Sequence, residues 1–272
     1  MNKKAVFLDI DGTIVDFNGN IPNSAKTAIR LAKANGHKMV ICSGRSLFQM
    51  YDELLSLGFS GIVGAAGAFV MADDKDIYHA YIDEEHRKSS FEYLEKNGFF
   101  FCYQSNDGIV INERSKNGMV DILSSNGLSE LRIERLIGNM QVTDEPWKNE
   151  KNEKIVYYNG PYPVKKVAAD LAPYFEVVPM SLGKMDDYSG EISIGGINKA
   201  TGMEIYLHHT GIKREDSIAL GDGANDLEMM EYAGIGVAMG NARAEVKELA
   251  DMITDSIHED GLYNAFVKLG LI

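Results

Sequence analysis

The stretch FLDIDGTIVD, residues 7–16, supports two readings with different consequences. Asp-Gly between apolar runs is a strong short-range hairpin signal, because Gly accepts a positive φ and Asp can bond its own backbone. The same residues are equally a strand that carries two carboxylates, Asp9 and Asp11, to one place. The segments on either side decide how much of each reading applies.

Downstream, the chain alternates strand and helix patterns. KAVFLD (4–9) is a continuous apolar run of strand length. SAKTAIRLAKANG (24–36) puts Ala25, Ala28, Ile29 and Ala32 on one helical face, with Gly36 as the stop. HKMVICSG (37–44) predicts a second strand, 46–57 a helix closed by Gly58, and GIVGA (61–65) a third strand. Buried continuous strands separated by helices imply a parallel sheet covered on both faces. After about residue 68 the pattern changes. AFVMADDKDIYHAYI (68–82) and NGFFFCYQSNDGIVINE (97–113) predict antiparallel hairpins with a few helices between them. From about 198 the alternation returns, with helices over 199–210, 225–233 and 242–249, strands SIAL (217–220), GVAM (236–239) and DMIT (251–254), and a terminal helix. The expected fold is therefore α/β: a three-layer core of Rossmann-like type with a parallel sheet, plus an inserted α+β unit. The core is expected from 1–80 and 186–272, and the insert from 81–185.

Composition narrows the function. A chain of 272 residues with 45% hydrophobic content can bury a sizeable core as one or two domains. Its 27 basic against 40 acidic residues give a net charge of −13, which repels nucleic acid and anionic membrane surfaces, so neither is expected as a partner. A small phosphorylated metabolite stays compatible, because a cation and helix N-termini can create a locally attractive site. Either a monomer or a homodimer is compatible. Cys42 and Cys102 form no disulfide framework, Asp9 interrupts the first apolar run, and no stretch is long enough for a membrane span, so a cytoplasmic protein is expected.

The chemistry-bearing residues fall where strands of the parallel sheet end, which is where open α/β sheets bind ligands. They are Asp9 and Asp11, Ser43, Lys199, and Asp222 with Asp226 in ALGDGANDLEMM (219–230). Four carboxylates crowded together repel one another unless a cation neutralises them, and an all-oxygen donor set favours Mg²⁺ over Zn²⁺. GDGAND can also be a solvated Gly-Asn-Asp turn. It is not an EF-hand loop, since Ala224 and Leu227 occupy positions that need a ligand and a Gly. Ser43 in CSGR and Lys199 at a helix start suit a phosphoryl group, although a strand-end Ser is commonly a turn residue and a Lys is commonly solvated.

Taken together and in this order, DIDGT (9–13), ICSGR (41–45), GINKATGM (196–203) and GDGANDLEMMEYAGIGVAMGNA (221–242) resemble the haloacid dehalogenase superfamily, and within it the Cof-like phosphatases. EDGLYNAF (259–266) resembles the closing segment of that subfamily. The resemblance implies a Mg²⁺-dependent phosphomonoesterase that acts on small phosphorylated metabolites, sugar phosphates foremost, through an aspartyl-phosphate. Asp9 is then the nucleophile and Asp11 the acid and base. Asp9, Asp11 (through its backbone carbonyl), Asp222 and Asp226 hold the metal, Asp226 directly or through water. Ser43, Gly44, Arg45 and Lys199 bind the phosphoryl group, Lys199 also offsetting the charge of Asp9, with Thr13 and Asn225 in support. Two readings with the same residues stay open, a sugar phosphomutase and a non-catalytic phosphometabolite sensor. The chain departs from the family at GAAGAF (64–69), where Ala66 replaces the usual Asn, and at Ala200, where Gly commonly follows the Lys. The resemblance makes the insert, 81–185, an α+β cap that selects the leaving group, with Lys184, Asp187 and Tyr188 as candidate contacts.

Other features have plainer readings. His208 and His209 are adjacent on a helix and point apart, so they form no shared metal site. Cys42 lacks the spacing of a cysteine-phosphatase loop and reads as a buried strand residue, and the thirteen Met residues read as packing. No Gly-x-Gly-x-x-Gly follows the first strand, which argues against a dinucleotide.

Overall fold

The computed structural model describes residues 3–125, 129–180 and 187–272. The chain opens with β1 (Ala5–Leu8), α1 (Asn23–Ala34), β2 (Lys38–Cys42), α2 (Asp52–Leu55), β3 (Gly61–Gly64), β4 (Phe69–Ala72) and β5 (Lys75–His79). It continues through α3 (Glu84–Lys96), β6 (Phe100–Ser105), β7 (Gly108–Ile111), α4 (Glu113–Ser125), α5 (Glu130–Ile137), β8 (Gln141–Val142), β9 (Lys154–Tyr158), α6 (Val164–Leu171), β10 (Phe175–Pro179) and β11 (Gly190–Ile194). It closes with α7 (Lys199–Thr210), β12 (Ser217–Gly221), α8 (Leu227–Tyr232), β13 (Ile235–Ala238), α9 (Ala244–Leu249), β14 (Met252–Ile253) and α10 (Gly261–Lys268).

Two compact units result. One comprises the residues up to Arg45, Met50–His79 and those from Ile197 on, and the other Ser46–Gln49 and Ala80–Gly196. In the first, the strands lie in the order β14-β13-β12-β1-β2-β3-β4-β5, parallel from β14 to β3, with β4 and β5 antiparallel at one edge. This is an α/β fold of Rossmann-like type. All four residues of β1 are fully buried, as a central strand covered on both faces requires. Ala5 and Phe7 join Val40, Cys42, Met203, Tyr206 and Met229 in one cluster, where Phe7 meets Tyr206 edge-on at 5.6 Å. The helical face expected of α1 is the buried one, with Ala25, Ala28, Ile29 and Ala32 turned inward, and α1 packs on β2 and α10. No helix among the described residues is long and apolar enough to cross a membrane.

The second unit holds a sheet ordered β10-β11-β9-β6-β7-β8, antiparallel except for β7 with β8. One face carries Phe101, Tyr103, Ile155, Tyr157 and Ile192. The other carries Cys102, Ile109, Ile111 and Val156, packed against Met119 of α4 and Ile133 and Ile137 of α5. The boundary expected at 185–186 lies outside the described residues, as does Lys184.

The helix expected over 46–57 is corrected to a 3₁₀ turn at Leu47–Gln49 and the four residues of α2. Its opening donors are taken by side chains: the Ser46 N–H donates to Gln49 Oε1 and the Leu47 N–H to Asn106 Oδ1. These bonds compete with the first helical turn and draw the segment into the second unit. The helix expected from 225 likewise begins as a 3₁₀ turn, Ala224–Asp226, before α8.

Candidate active site

β1 ends at Leu8, and the Asp9 N–H still donates to Leu220 O of β12 (3.0 Å), so Asp9 is delivered by the last rung of the parallel ladder. The chain then turns. Gly12 takes φ +80°, its N–H donates to Val15 O (2.8 Å), and Asp11 bridges Val15. The Asp-Gly turn and the two-carboxylate strand are thus one feature. A Cβ at Gly12 would lie 2.1 Å from Asp222 Oδ2, so the glycine serves the approach of that carboxylate as well as the turn.

Lys199 is the first residue of α7. Asn198 caps the helix by accepting the Thr201 N–H (3.1 Å), while Thr201 Oγ1 accepts the Asn198 N–H (3.0 Å). The Lys199 side chain, 1% exposed, donates to Asp9 Oδ1 (2.6 Å) and Asp226 Oδ1 (2.5 Å). An ammonium that deep at a positively polarised helix start requires anionic partners, and it has two. Burial works against its charge, but the carboxylates of Asp226 and Asp9 outweigh burial and hold its pKa well above the ordinary lysine value.

Asp226 is fully buried, and its second oxygen accepts the N–H groups of Asp222 (3.0 Å) and Gly223 (2.9 Å). It ties α7 to the loop after β12. Burial, then the charge of Asp226, raises the Asp9 pKa against the pull of Lys199. Burial and Asp226 likewise push Asp222 up to about 7. Oxygens of Asp9, Asp222 and Asp226 all lie within 4.8 Å of one another. Three carboxylates against one ammonium leave an excess of negative charge in a buried place. This hard-oxygen donor set fits a divalent cation such as Mg²⁺.

Asp11 stands apart from this cluster, held by Arg45, whose Nε donates to Oδ2 (2.9 Å) and Nη2 to Oδ1 (2.7 Å). Ser43 is buried at the end of β2; its N–H donates to Val63 O, and its Oγ accepts the Arg45 N–H (3.2 Å). Gly44 continues the same turn, half-buried. Thr13 is buried, and its Oγ1 has no hydrogen-bond partner among the described residues. Asn225 is half-buried on the 3₁₀ turn between Asp222 and Asp226. Ala66, where an Asn is usual, has a left-handed backbone (φ 54°, ψ 34°). Asp187 and Tyr188 belong to the second unit, where their carbonyls accept the N–H groups of Val164 and Gly160. Cys42 is a buried strand residue whose thiol pKa burial drives far up, and His208 and His209 are exposed in the last turn of α7.

One residue of this site escapes a reading of the motifs. Asn241 Nδ2 donates to Gly12 O (2.9 Å) and Asp222 Oδ2 (3.1 Å), and its Oδ1 accepts the Ile257 N–H (2.9 Å). It fastens the flap after β1 to the loop after β12. Its position just past the end of β13 was the available signal, since the other site residues also follow strand ends.

A sequence model described as haloacid dehalogenase-like hydrolase matches residues 6–266. The chain belongs to the haloacid dehalogenase-like hydrolases. It is 29% identical to YkrA of Bacillus subtilis (strain 168) over 272 residues, the full length of both. A solved structure from Geobacillus kaustophilus HTA426 is 26% identical, with a TM-score of 0.83 and all of both chains covered. The haloacid dehalogenase subclass IIB sugar phosphatase BT4131 is also 26% identical, with a TM-score of 0.80 over 99% of this chain and 100% of that one. Within the family the chain is a phosphatase of haloacid dehalogenase type.

Proposed function

We propose that the protein hydrolyses phosphomonoesters of small metabolites, sugar phosphates foremost, through an aspartyl-phosphate on Asp9. The observation that carries this reading is the buried Lys199 held between Asp9 and Asp226, with Asp222 alongside. A carboxylate is a poor partner for a phosphate dianion, and pairing with an ammonium removes much of that repulsion.

In the first step an oxygen of Asp9 attacks phosphorus, and the departing alkoxide takes a proton from Asp11. In the second, Asp11 accepts a proton from water as that water attacks the phosphorus of the acyl phosphate, which returns Asp9 and releases inorganic phosphate. Ser43, the Gly44 backbone and Lys199 bind the phosphoryl oxygens, with Thr13 and Asn225 in support. Arg45 holds Asp11 in place and contributes to phosphoryl binding. The carboxylates of Asp9 and Asp222, the backbone carbonyl of Asp11, and Asp226 directly or through water, would hold Mg²⁺. That ion supplies neutralisation of the carboxylates and of the phosphoryl charge when bound. The inserted unit acts as a cap that selects the leaving group. Similarity to a sugar phosphatase over nearly the whole chain supports the substrate class.

The test is phosphate release from a panel of phosphorylated metabolites with Mg²⁺, by the wild type and by Asp9→Asn. Turnover by the wild type and loss in the variant is expected. Equal turnover by both would remove Asp9 as the nucleophile, and no release from any ester would remove the phosphatase reading.

A further inference from the structure

Each carboxylate of the Asp9–Asp222–Asp226 cluster has an oxygen committed to a fixed donor. Asp9 Oδ1 accepts from Lys199 Nζ at 2.6 Å. Asp226 Oδ1 accepts from the same ammonium, and its Oδ2 takes the N–H groups of Asp222 and Gly223. On Asp222 the donor is neutral: Asn241 Nδ2 reaches Oδ2 at 3.1 Å. An oxygen turned to a fixed donor is drawn away from chelation, so none of the three carboxylates is free to offer both oxygens to one cation.

Asn241 is itself held in place. Its amide also donates to Gly12 O (2.9 Å), and its Oδ1 accepts the Ile257 N–H (2.9 Å), which decides which end of the amide faces Asp222. The turn that carries it is braced in its own right. The Gly240 N–H donates to Asp255 O (3.0 Å), and the Gly240 carbonyl accepts Lys247 Nζ (2.6 Å). A Cβ at Gly240 would lie 2.4 Å from Ser256 N, so the glycine lets the segment 255–257 close on the turn. Two residues on from Asn241, the Arg243 N–H donates to the Asp222 carbonyl (3.2 Å). One turn thus grips Asp222 at its backbone and at its carboxylate. A plain turn Asn bonds its own neighbouring backbone and needs none of these long-range contacts.

We infer that Asn241 is a positioning residue that restricts Asp222 to a single oxygen for the metal and thereby makes the site select Mg²⁺ over Ca²⁺. This rests on the reading above in which the cluster holds Mg²⁺. Mg²⁺ takes its oxygens in a near-ideal octahedron, which single oxygens from fixed carboxylates suit. Ca²⁺ takes more oxygens at longer distances, and a carboxylate that offers both of its own supplies the extra one. Once Asn241 no longer engages Asp222 Oδ2, that carboxylate is free to chelate, and the bias against the larger ion falls.

The experiment titrates Mg²⁺ and Ca²⁺ separately into full-length wild type, Asn241→Leu and Asn241→Ala, each first dialysed against EDTA, and takes each Kd from the rise of the thermal midpoint. Leu is close to Asn in volume and Ala is smaller, so the two variants remove the donor with different packing consequences. The wild type is expected to bind Mg²⁺ more tightly than Ca²⁺. Both variants are expected to lower the ratio of the Ca²⁺ Kd to the Mg²⁺ Kd about ten-fold. Ca²⁺ is then expected to inhibit Mg²⁺-supported phosphate release at lower concentration in the variants than in the wild type. An Asn241 that only braces the fold would weaken both ions alike and leave the ratio intact. An unchanged ratio in the variants, or a wild type that binds Ca²⁺ at least as tightly as Mg²⁺, overturns the inference, while phosphate release by the wild type keeps the phosphatase reading in place. A wild type stabilised by neither ion removes the inference together with the metal reading.

Discussion

Gly12 sets the spacing of the carboxylates. Its positive φ and the 2.1 Å gap to Asp222 Oδ2 mean that any side chain there must displace the metal-binding candidate. Gly12→Ala is expected to cost about 2–4 kcal/mol, from left-handed strain plus overpacking, and to abolish phosphate release; urea unfolding and an activity assay check the two parts. Lys199→Met keeps the volume and removes the ammonium, which leaves Asp9 and Asp226 buried without a counter-charge. A loss of about 3–5 kcal/mol is expected on urea unfolding at pH 7, recovered in part by Mg²⁺. His37 gives a pH effect away from the site. Burial, with Lys4 nearby, lowers its pKa, and its Nδ1 accepts the Lys4 N–H at 3.1 Å. A depressed folded pKa means that this contribution is present above the unfolded value, about 6.5, and is lost as pH falls through the folded one. Thermal midpoints measured from pH 7 to 5 are expected to drop less for His37→Gln than for the wild type.

At the level of elements, the loop after β3 and the start of α7 act as a pair. Gly67, at φ +103°, allows the Asn198 carbonyl to approach to where a Cβ would be 2.0 Å away, and this fixes the first turn that carries Lys199. Beside it Ala65 and Ala66 both have positive φ, a conformation that Asn or Gly adopts with less strain. Ala66→Gly is expected to stabilise the protein by about 1 kcal/mol, read from the urea midpoint. The sequence showed that Ala66 departs from the usual Asn but not that its backbone is left-handed. Apolar runs and stop glycines made β1, α1 and β2 legible, because their periodicity reports burial directly. Residues 46–57 were not legible, because the groups that break the helix, Gln49 and above all the distant Asn106, act through tertiary hydrogen bonds.

At the level of the whole molecule, the motif residues were legible because strand ends of a parallel sheet converge whatever their separation in the chain. Asn241 was legible only by its place just past a strand end, since an Asn in a turn has a ready reading as a turn residue. If the carboxylate cluster binds Mg²⁺, the ion stabilises the folded state by about 2.7 kcal/mol at one hundred times its Kd. A rise of the thermal midpoint with Mg²⁺ is expected in the wild type and not in Asp222→Asn, and calorimetric scans with and without EDTA decide it.

The pairing of β1 with β12 has a consequence for synthesis on the ribosome. Ala5 is matched to Ser217 and Leu8 to Leu220, so one edge of β1 finds its neighbour only after more than two hundred further residues have been added. All of Ala80–Gly196 emerges in the interval. Until α7 and β12 follow, Asp9 has neither Lys199 nor Asp226 beside it. A chain arrested before Gly221 therefore exposes an apolar strand edge and leaves Asp9 without Asp226, which makes premature termination a source of aggregation.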